Sequence, residues 1–130
     1  MRKTALIIEN DALSRKLLAD LLGMLECDVV QTRTAQDGLD MARARKPDLI
    51  VLDIKLQGMS GLDFIDYVRA EQALRDVPII VMTAYERNDV AGYDFDEFFQ
   101  KPVSVDSLLR TVHRHLYPGR PYRRAGAARN

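Results

Sequence analysis

The sequence contains one cysteine and no long hydrophobic run. A single cysteine, Cys27, cannot form an intramolecular disulfide, which excludes the class of disulfide-stabilised secreted domains. Its place beside the apolar Leu25 favours a small core residue in a reduced, cytoplasmic protein. The first apolar segment, residues 4–8, is too short for the hydrophobic core of a signal peptide or for a membrane span. We therefore expect a domain without a transmembrane segment.

The chain also lacks a net charge, but its charges are unevenly distributed. It has 130 residues, of which 47% are hydrophobic, and this suits one compact domain. All 19 acidic residues precede residue 110, against 13 Lys and Arg, whereas residues 110–130 hold six Arg and no acidic residue. The sequence therefore predicts an acidic domain with a basic end.

The stretch on which the rest of the chain is organised is residues 47–61, P-D-L-I-V-L-D-I-K-L-Q-G-M-S-G. The run 49–52 is apolar throughout, which is typical of a strand buried on both faces of a parallel sheet. This run ends on a carboxylate, Asp53, and a loop with Gly58 and Gly61 follows. In open α/β folds, ligand chemistry lies at the carboxyl ends of the strands, so Asp53 is a candidate functional residue.

Strand and helix patterns alternate along the whole chain. Apolar runs predict four further strands, at 5–8, 28–32, 79–82 and 96–100, and amphipathic patterns predict helices near 12–25, 35–45, 61–68 and 105–116. Parallel neighbours require such crossover helices, which pack on both faces of the sheet. The pattern predicts a single doubly wound α/β domain.

The first helix has a stripe of leucines at a spacing of three and four residues, which predicts its buried face. The stripe consists of Leu13, Leu17, Leu18, Leu21, Leu22 and Leu25. Asp11 stands where the N-cap of this helix is expected, and we interpret it as a cap rather than a metal ligand.

Polar side chains follow the predicted strands at the points where they end. Glu9 and Asn10 follow the first strand, Asp53 the third, Thr83 the fourth and Lys101 the fifth. Because the ends of parallel strands meet at one edge of the sheet, these side chains are expected to converge. Carboxylate oxygens suit Mg²⁺, and a hydroxyl with a lysine suits a phosphoryl group.

Four segments in this order resemble the CheY-like receiver domain of bacterial two-component response regulators, over residues 3–117. They are I-I-E-N-D, P-D-L-I-V-L-D-I-K-L-Q-G-M-S-G-L, V-P-I-I-V-M-T-A and F-F-Q-K-P-V. The resemblance implies a flavodoxin-like, five-stranded parallel sheet in the order 2-1-3-4-5. It also implies a cis peptide bond between Lys101 and Pro102.

The resemblance further implies that Asp53 is the phosphoacceptor, which takes a phosphoryl group from a phosphohistidine on a histidine kinase or phosphotransferase. Mg²⁺ would be bound by four residues: Glu9, Asn10, Asp53 and the backbone carbonyl of Lys55. Asn10 departs from the family, which usually has a second acid there. The loss of one negative charge should weaken the binding of Mg²⁺.

Thr83 and Lys101 would bind the phosphoryl oxygens, and Phe98 occupies the family's aromatic switch position. Each has a simpler alternative: Thr83 a strand-end hydroxyl, Lys101 a surface amine and Phe98 an ordinary core residue. The segment between Thr83 and Lys101 is about four residues too short for the family, which is roughly one helical turn. A shortened or disordered fourth helix is therefore expected.

We expect the domain to span residues 1–117 and an arginine-rich, flexible tail to span residues 118–130, in which proline and glycine end the last helix. Candidate ligand-binding residues here are Arg114, Arg120, Tyr122, Arg123 and Arg124. Arginine binds phosphates and stacks on bases, and the tail resembles that of CheY-like proteins that bind cyclic di-GMP and act on the flagellar motor. A solvated basic end remains an alternative, and nucleic-acid binding is disfavoured by the few arginines.

The leading hypothesis is a single-domain response regulator that is switched by phosphorylation of Asp53 and signals by contact with a downstream protein. The alternative is a receiver-like effector controlled by cyclic di-GMP at the arginine-rich end. An enzyme that acts on phosphate esters is disfavoured, because the one evident nucleophile, Asp53, would modify only itself.

Overall fold

The computed structural model describes residues 2–123, which form a five-stranded parallel sheet covered by helices on both faces. The strands are β1 (Lys3–Ile8), β2 (Cys27–Thr32), β3 (Leu49–Leu52), β4 (Ile79–Thr83) and β5 (Glu97–Gln100). The helices are α1 (Ala12–Gly23), α2 (Ala35–Ala44), α3 (Gly61–Ala70) and α4 (Val105–Leu116), with one 3₁₀ turn, Arg87–Val90.

The strand order is β2-β1-β3-β4-β5, and every neighbouring pair is parallel. The predicted fold class, strand order and alternation are therefore confirmed. The central strand β3 is buried along its whole length, as its uninterrupted apolar run predicts. The Lys101–Pro102 peptide bond is cis, which agrees with the resemblance.

Two hydrophobic layers lie on opposite faces of the sheet. Helices α2 and α3 pack on one face around Leu39, Phe64 and Ile65, and α1 and α4 pack on the other around Leu22 and Val112. Within residues 2–123 no helix is long and apolar enough to cross a membrane.

Each helix begins at a side chain that accepts a hydrogen bond from a backbone N–H of its first turn. Asp11 accepts from the N–H of Ser14 at 2.8 Å, which agrees with its interpretation as a cap. The sequence reasoning missed the other three caps, Thr34, Ser60 and Ser104. They fix where α2, α3 and α4 begin after each strand.

The predicted leucine stripe of α1 is only partly correct. Leu18, Leu22 and Leu25 are buried, whereas Leu13 is 67% and Leu17 is 55% exposed. The stripe is wider than the surface that α1 shares with the sheet, so its outer edge is left uncovered. Periodicity identifies an apolar face but not how much of it the neighbouring elements cover.

The shortened fourth helix is confirmed, since only the 3₁₀ turn 87–90 lies between β4 and β5. Its anchor was not predicted: Val90 is fully buried in the layer that α2 and α3 form with the sheet. At the start of the turn, the N–H of Glu86 donates to Asp89 at 2.8 Å. The turn is therefore packed and capped rather than melted.

The guanidinium of Arg69 holds the segment that follows this turn through several hydrogen bonds. Arg69 of α3 donates to the carbonyls of Asp94 at 2.8 Å and Val77 at 2.7 Å, and to the carboxylate of Asp96 at 2.8 Å. The same carboxylate oxygen of Asp96 accepts from the N–H of Ile79 at 2.8 Å. Arg69 thereby connects α3 to the residues that precede β4 and β5.

Candidate functional site

The carboxyl edge of the sheet brings together the ends of three separate strands. Glu9 follows β1, Asp53 follows β3 and Lys101 follows β5. The Lys101 ammonium lies 2.8 Å from Oε1 of Glu9 and 3.1 Å from Oδ2 of Asp53, so it bridges the two carboxylates. The convergence expected from the strand ends is present in the structure.

These charges are largely removed from water. The side chain of Glu9 is 1% exposed and that of Lys101 is 29% exposed. Burial disfavours the charged form of Lys101, but the hydrogen bond that Lys101 donates to Glu9 and the charge of Asp53 outweigh it and raise the pKa of Lys101. Lys101 therefore stays protonated at neutral pH and neutralises part of the charge of the two acids.

The loop after β3 holds the Asp53 side chain and backbone in place. The N–H of Lys55 donates to Oδ1 of Asp53 at 3.2 Å, and the N–H of Gly61 donates to the carbonyl of Ile54 at 3.0 Å. A Cβ atom at Gly61 would lie 2.6 Å from the carbonyl oxygen of Asp53. Only glycine allows α3 to begin this close to Asp53.

Thr83 and Asn10 complete the edge. Thr83 is fully buried, and its hydroxyl accepts from the N–H of Tyr85 at 3.3 Å. Asn10 is exposed at the end of β1. Among residues 2–123 no group of three or more His, Cys, Asp or Glu side chains is placed to hold a metal ion. The available donors are two carboxylates, the amide oxygen of Asn10 and backbone carbonyls.

Comparison with known proteins identifies the family. Residues 5–113 match the response regulator receiver domain. The chain is 31% identical over 120 residues to the polar-differentiation response regulator DivK of Brucella ovis, an alignment that covers 89% of this chain and 98% of that protein. The chain belongs to the response regulator receiver domain family.

Solved receiver structures share this fold. Chemotaxis response regulator CheY4 of Vibrio cholerae is 20% identical with a TM-score of 0.81, over 89% of this chain and 100% of that one. The receiver domain of a sensor histidine kinase from Pseudomonas aeruginosa, solved with magnesium in its active-site cleft, is 21% identical with a TM-score of 0.81, over 89% and 98% of the chains. The family match and the similarity to DivK show that the chain is a receiver-domain response regulator of two-component signalling.

In this receiver domain, Phe98 lies in β5 and packs against a hydrophobic layer. It is half-buried against the layer of α2 and α3, and the ring of Phe95 lies 6.2 Å away between centroids. The guanidinium carbon of Arg87, in the 3₁₀ turn, lies 5.4 Å from the Phe98 centroid. Phe98 is therefore both a packing residue and a contact of the shortened segment, and its role as a switch stays a prediction.

The structure separates Arg114 from Arg120, two of the predicted ligand-binding arginines. Arg114 pairs with Glu97 of β5 at 2.8 Å, whereas Arg120 lies 3.7 Å from Glu26, which precedes β2. Because β5 and β2 are opposite edges of the receiver sheet, these two arginines face different regions. The prediction of one nucleotide site at these residues stays a prediction.

The beginning of the predicted tail packs on the receiver domain. Tyr122 contacts the layer of α1 and α4, and the Arg110 guanidinium carbon lies 5.1 Å from its ring centroid. Arg123 lines a cleft of about 290 Å³ with His113 and Arg120. The remaining candidate, Arg124, lies outside the described residues.

One contact at the site was missed by the sequence reasoning. Arg15, in the first turn of α1, donates to the carbonyl oxygen of Glu9 at 2.8 Å. The N–H of Asp11 donates at 3.1 Å to Oε2 of Glu9, the carboxylate oxygen that Lys101 does not contact. The sequence signal for the Arg15 contact was its position four residues after the Asp11 cap, from which a long side chain can reach the residues before the helix.

Proposed function

We propose that this chain is a phosphorylation-dependent signalling switch in which Asp53 accepts the phosphoryl group. The observation that carries the proposal is the Lys101 ammonium, which joins the buried carboxylates of Glu9 and Asp53 at the carboxyl edge of the sheet. A fixed cation beside a nucleophilic carboxylate stabilises the negative charge of a phosphoryl group in transfer.

In the proposed reaction a carboxylate oxygen of Asp53 attacks the phosphorus of a phosphohistidine on a histidine kinase or phosphotransferase. The new bond is phosphorus to oxygen, the bond that breaks is phosphorus to imidazole nitrogen, and the departing imidazole takes a proton. Lys101 would hold one phosphoryl oxygen, and the Thr83 hydroxyl would donate a hydrogen bond to another. The bond from the N–H of Tyr85 uses only the oxygen of the Thr83 hydroxyl, as an acceptor. The hydrogen of the hydroxyl can therefore be donated to the phosphoryl group.

Mg²⁺ fits this site, because the donors at the edge are oxygen atoms. Glu9, Asn10, Asp53 and the carbonyl of Lys55 would hold the ion, which supplies positive charge to the transferred phosphoryl group. The magnesium in the Pseudomonas receiver structure supports this assignment. Asn10 contributes an amide instead of a carboxylate, so we propose that the ion is bound more weakly than by three acids.

An apolar surface beside the site suits the phosphodonor protein. Leu13, Leu17 and Val105 are exposed on α1 and α4, and Leu17 and Val105 line a cleft of about 180 Å³ that also includes Lys101. Exposed apolar patches of this kind mark protein interfaces. We propose that the kinase or phosphotransferase docks here, with its phosphohistidine over Asp53.

The test is the response to Mg²⁺ and beryllofluoride, followed through backbone amide NMR shifts. We expect shifts at Asp53, Thr83 and Lys101 in the wild type and their loss in Asp53→Asn. A wild type and an Asn10→Asp variant that are both silent at saturating Mg²⁺ would show that Asp53 is not a phosphoacceptor. A response in Asn10→Asp alone would show that the affinity for Mg²⁺ limits the switch.

Cyclic di-GMP control is the weaker hypothesis. Arg114 and Arg120 face opposite edges of the sheet, and each is already paired with a carboxylate. Arg120 also stacks on Tyr117, with its guanidinium carbon 4.5 Å from the ring centroid. Calorimetric titration of the full chain with cyclic di-GMP tests this alternative, and an absence of binding heat at millimolar nucleotide would exclude it.

A further inference from the structure

The chain reverses its direction immediately after α4. Residues 117–120, Y-P-G-R, form a turn in which the N–H of Arg120 donates to the carbonyl of Tyr117 at 3.1 Å. Gly119 has a φ of +85°, and a proline followed by a glycine with positive φ is typical of a type II β-turn. Because α4 begins after β5 at the carboxyl edge of the sheet, the residues that follow Arg120 run back toward that edge.

The segment after this turn contacts one side of α4, which we name the α4 stripe. Its residues recur at a spacing of three or four, so they lie on one side of the helix. They are Asp106, Arg110, His113 and Tyr117. The Arg120 guanidinium carbon lies 4.5 Å from the ring centroid of Tyr117. The Tyr122 ring lies 5.5 Å from that of His113 and 5.1 Å from the guanidinium carbon of Arg110, so the segment follows the stripe from its last residue toward its first.

One further step along this path reaches Asp106. Arg110 and Asp106 are one turn apart, about 6 Å along the helix axis. Two extended residues span about 7 Å, so the second residue after Tyr122 comes level with Asp106. That residue is Arg124, whose long side chain can reach the carboxylate.

Two buried polar atoms on this path lack a hydrogen-bond partner. They are Oδ1 of Asp106 and the hydroxyl oxygen of Tyr122, the two side-chain atoms of this kind within residues 2–123. Such atoms are rare in folded proteins, because a buried polar group without a partner is unfavourable. The other oxygen of Asp106 pairs with Arg110 at 3.0 Å, and the Asp106 side chain is 40% exposed, so the carboxylate can accept a second cation. Both atoms indicate that polar groups from the chain beyond Arg123 lie here.

The last seven residues have the length and composition to continue past the amino end of α4. Residues 124–130 are R-A-G-A-A-R-N, and seven extended residues span about 23 Å. Val105, next to Asp106, is 48% exposed and lines the cleft of about 180 Å³ that Leu17 and Lys101 also line. The alanines and glycine at 125–128 are small enough to lie in such a cleft. The positive charge of the segment is attracted to the acidic body of the domain.

We propose that residues 124–130 bind along the amino end of the α4 stripe and cover Leu17 and Val105. In this arrangement Arg124 pairs with Asp106. The inference rests on the proposed function in one respect, since Leu17 and Val105 belong to the surface proposed for the phosphodonor. A phosphodonor protein must displace the bound segment before it can reach that surface. The arginine-rich end of the chain is then an intramolecular competitor of the phosphodonor.

The test locates the end of the full-length chain by the paramagnetic broadening of backbone amide signals. A nitroxide is attached to Asn130→Cys, and Cys27 does not compete for the label because it is buried. We expect broadening at residues 14–17 and 101–106. Broadening confined to residues 117–123, the nearest part of the chain in sequence, would overturn the proposal. Without any label, a chain that ends at Arg123 should differ from the full-length chain in the amide shifts of Leu17 and Val105, and identical shifts would also overturn it.

Substitutions test the proposed ion pair. Arg124→Gln and Asp106→Asn should each lower the ratio of bound to free segment about two- to fivefold, the range for one exposed ion pair. The double variant should be no weaker than either single variant, because both changes remove the same pair. The matched control is Asp66→Asn, an exposed acid of α3 on the other face of the sheet, which should leave the broadening unchanged. Additive effects of the two substitutions, or an equal loss in the control, would refute the pair.

Two further measurements separate the alternatives. The nitroxide-labelled chain is mixed with an isotope-labelled chain that carries no nitroxide, and broadening in this mixture would mean that the segment binds a second copy instead of its own domain. The response to Mg²⁺ and beryllofluoride is recorded on the same chain. A response at Asp53 without broadening on α1 and α4 would refute this inference and leave the phosphorylation switch standing. Broadening without a response at Asp53 would refute the switch and leave the bound segment standing.

Discussion

Single residues at the carboxyl edge of the sheet set the geometry of the candidate site, and Gly61 is the tightest of them. A Cβ at this position would lie 2.6 Å from the carbonyl oxygen of Asp53 and 2.7 Å from Cα of Ile54. These are backbone atoms, which cannot move aside without shifting the loop that holds the Asp53 side chain. The position therefore links the start of α3 to the phosphoacceptor candidate.

We predict that Gly61→Ala lowers the free energy of unfolding by about 1–3 kcal/mol, the usual cost of overpacking. Urea denaturation measures this change, and amide shifts should move at Asp53 and Ile54. Gly23→Ala is the control, because a Cβ there meets no atom within 4 Å and alanine favours the helix. Equal stability of the two variants would mean that the loop absorbs the extra carbon freely.

Asn10 determines the charge of the proposed metal site. We predict that Asn10→Asp raises the affinity for Mg²⁺ by about tenfold or more, because a carboxylate is a stronger ligand than an amide for a hard divalent cation. A Mg²⁺ titration followed by amide shifts measures the dissociation constant. Gln57→Glu, which adds the same charge on the exposed loop, should change it far less; an equal gain would point to a general field effect.

At the scale of elements, the loss of a full helix between β4 and β5 is compensated by two anchors, Val90 and Arg69. Val90 fixes the 3₁₀ turn in the core, and Arg69 fixes the chain that follows it through Asp94 and Asp96. Surface helices usually owe their stability to packing rather than to propensity. A short segment that is held by one apolar residue and one guanidinium can therefore replace a helix.

We predict that Arg69→Ala lowers the free energy of unfolding by about 2–3 kcal/mol, because hydrogen bonds from a charged donor to partly buried acceptors are lost. Thermal or urea unfolding measures this loss, and hydrogen exchange should quicken between residues 91 and 98. Arg75→Ala, at an exposed position of the same region, should be close to neutral. A neutral Arg69→Ala would mean that Val90 alone anchors the segment.

The elements also show what the sequence could predict. The apolar runs that end on Asp53 and Thr83 predicted the positions of two strands. The family resemblance predicted the strand order, and a parallel sheet implied that the strand ends meet at one edge. The Glu9–Lys101 contact joins residues 92 positions apart, so no local pattern could give its distance. Exposure of Leu13 and Leu17 depends on how far α4 covers α1, which periodicity does not encode.

At the scale of the whole molecule, composition and packing give different expectations for the region just after α4. Residues 118–123 contain proline, glycine and arginine, which is typical of a solvated segment. In the structure Tyr122 nevertheless packs against the layer of α1 and α4, and the rings of His113 and Tyr122 lie 5.5 Å apart. A single aromatic residue can attach a polar segment to a domain, because most of its area is apolar.

We predict that a chain ending at Tyr117 is less stable than one ending at Arg123 by about 1–2 kcal/mol, the value of burying much of one aromatic side chain. The free energies of unfolding in urea measure the difference. Tyr122→Ala in the longer chain should reproduce most of it. Identical stability of the two chains would support the boundary expected from sequence, at residue 117.

The close approach of Gly61 to Asp53 also has a thermodynamic consequence. α3 starts against the backbone of Asp53, and its exposed side carries a groove lined by Asp63, Asp66 and Tyr67. If phosphorylation of Asp53 changes the affinity for a protein bound to α3, linkage requires the bound protein to change the phosphorylation equilibrium by the same factor. A partner bound on α3 would then act as an input to the switch as well as a reader of its state.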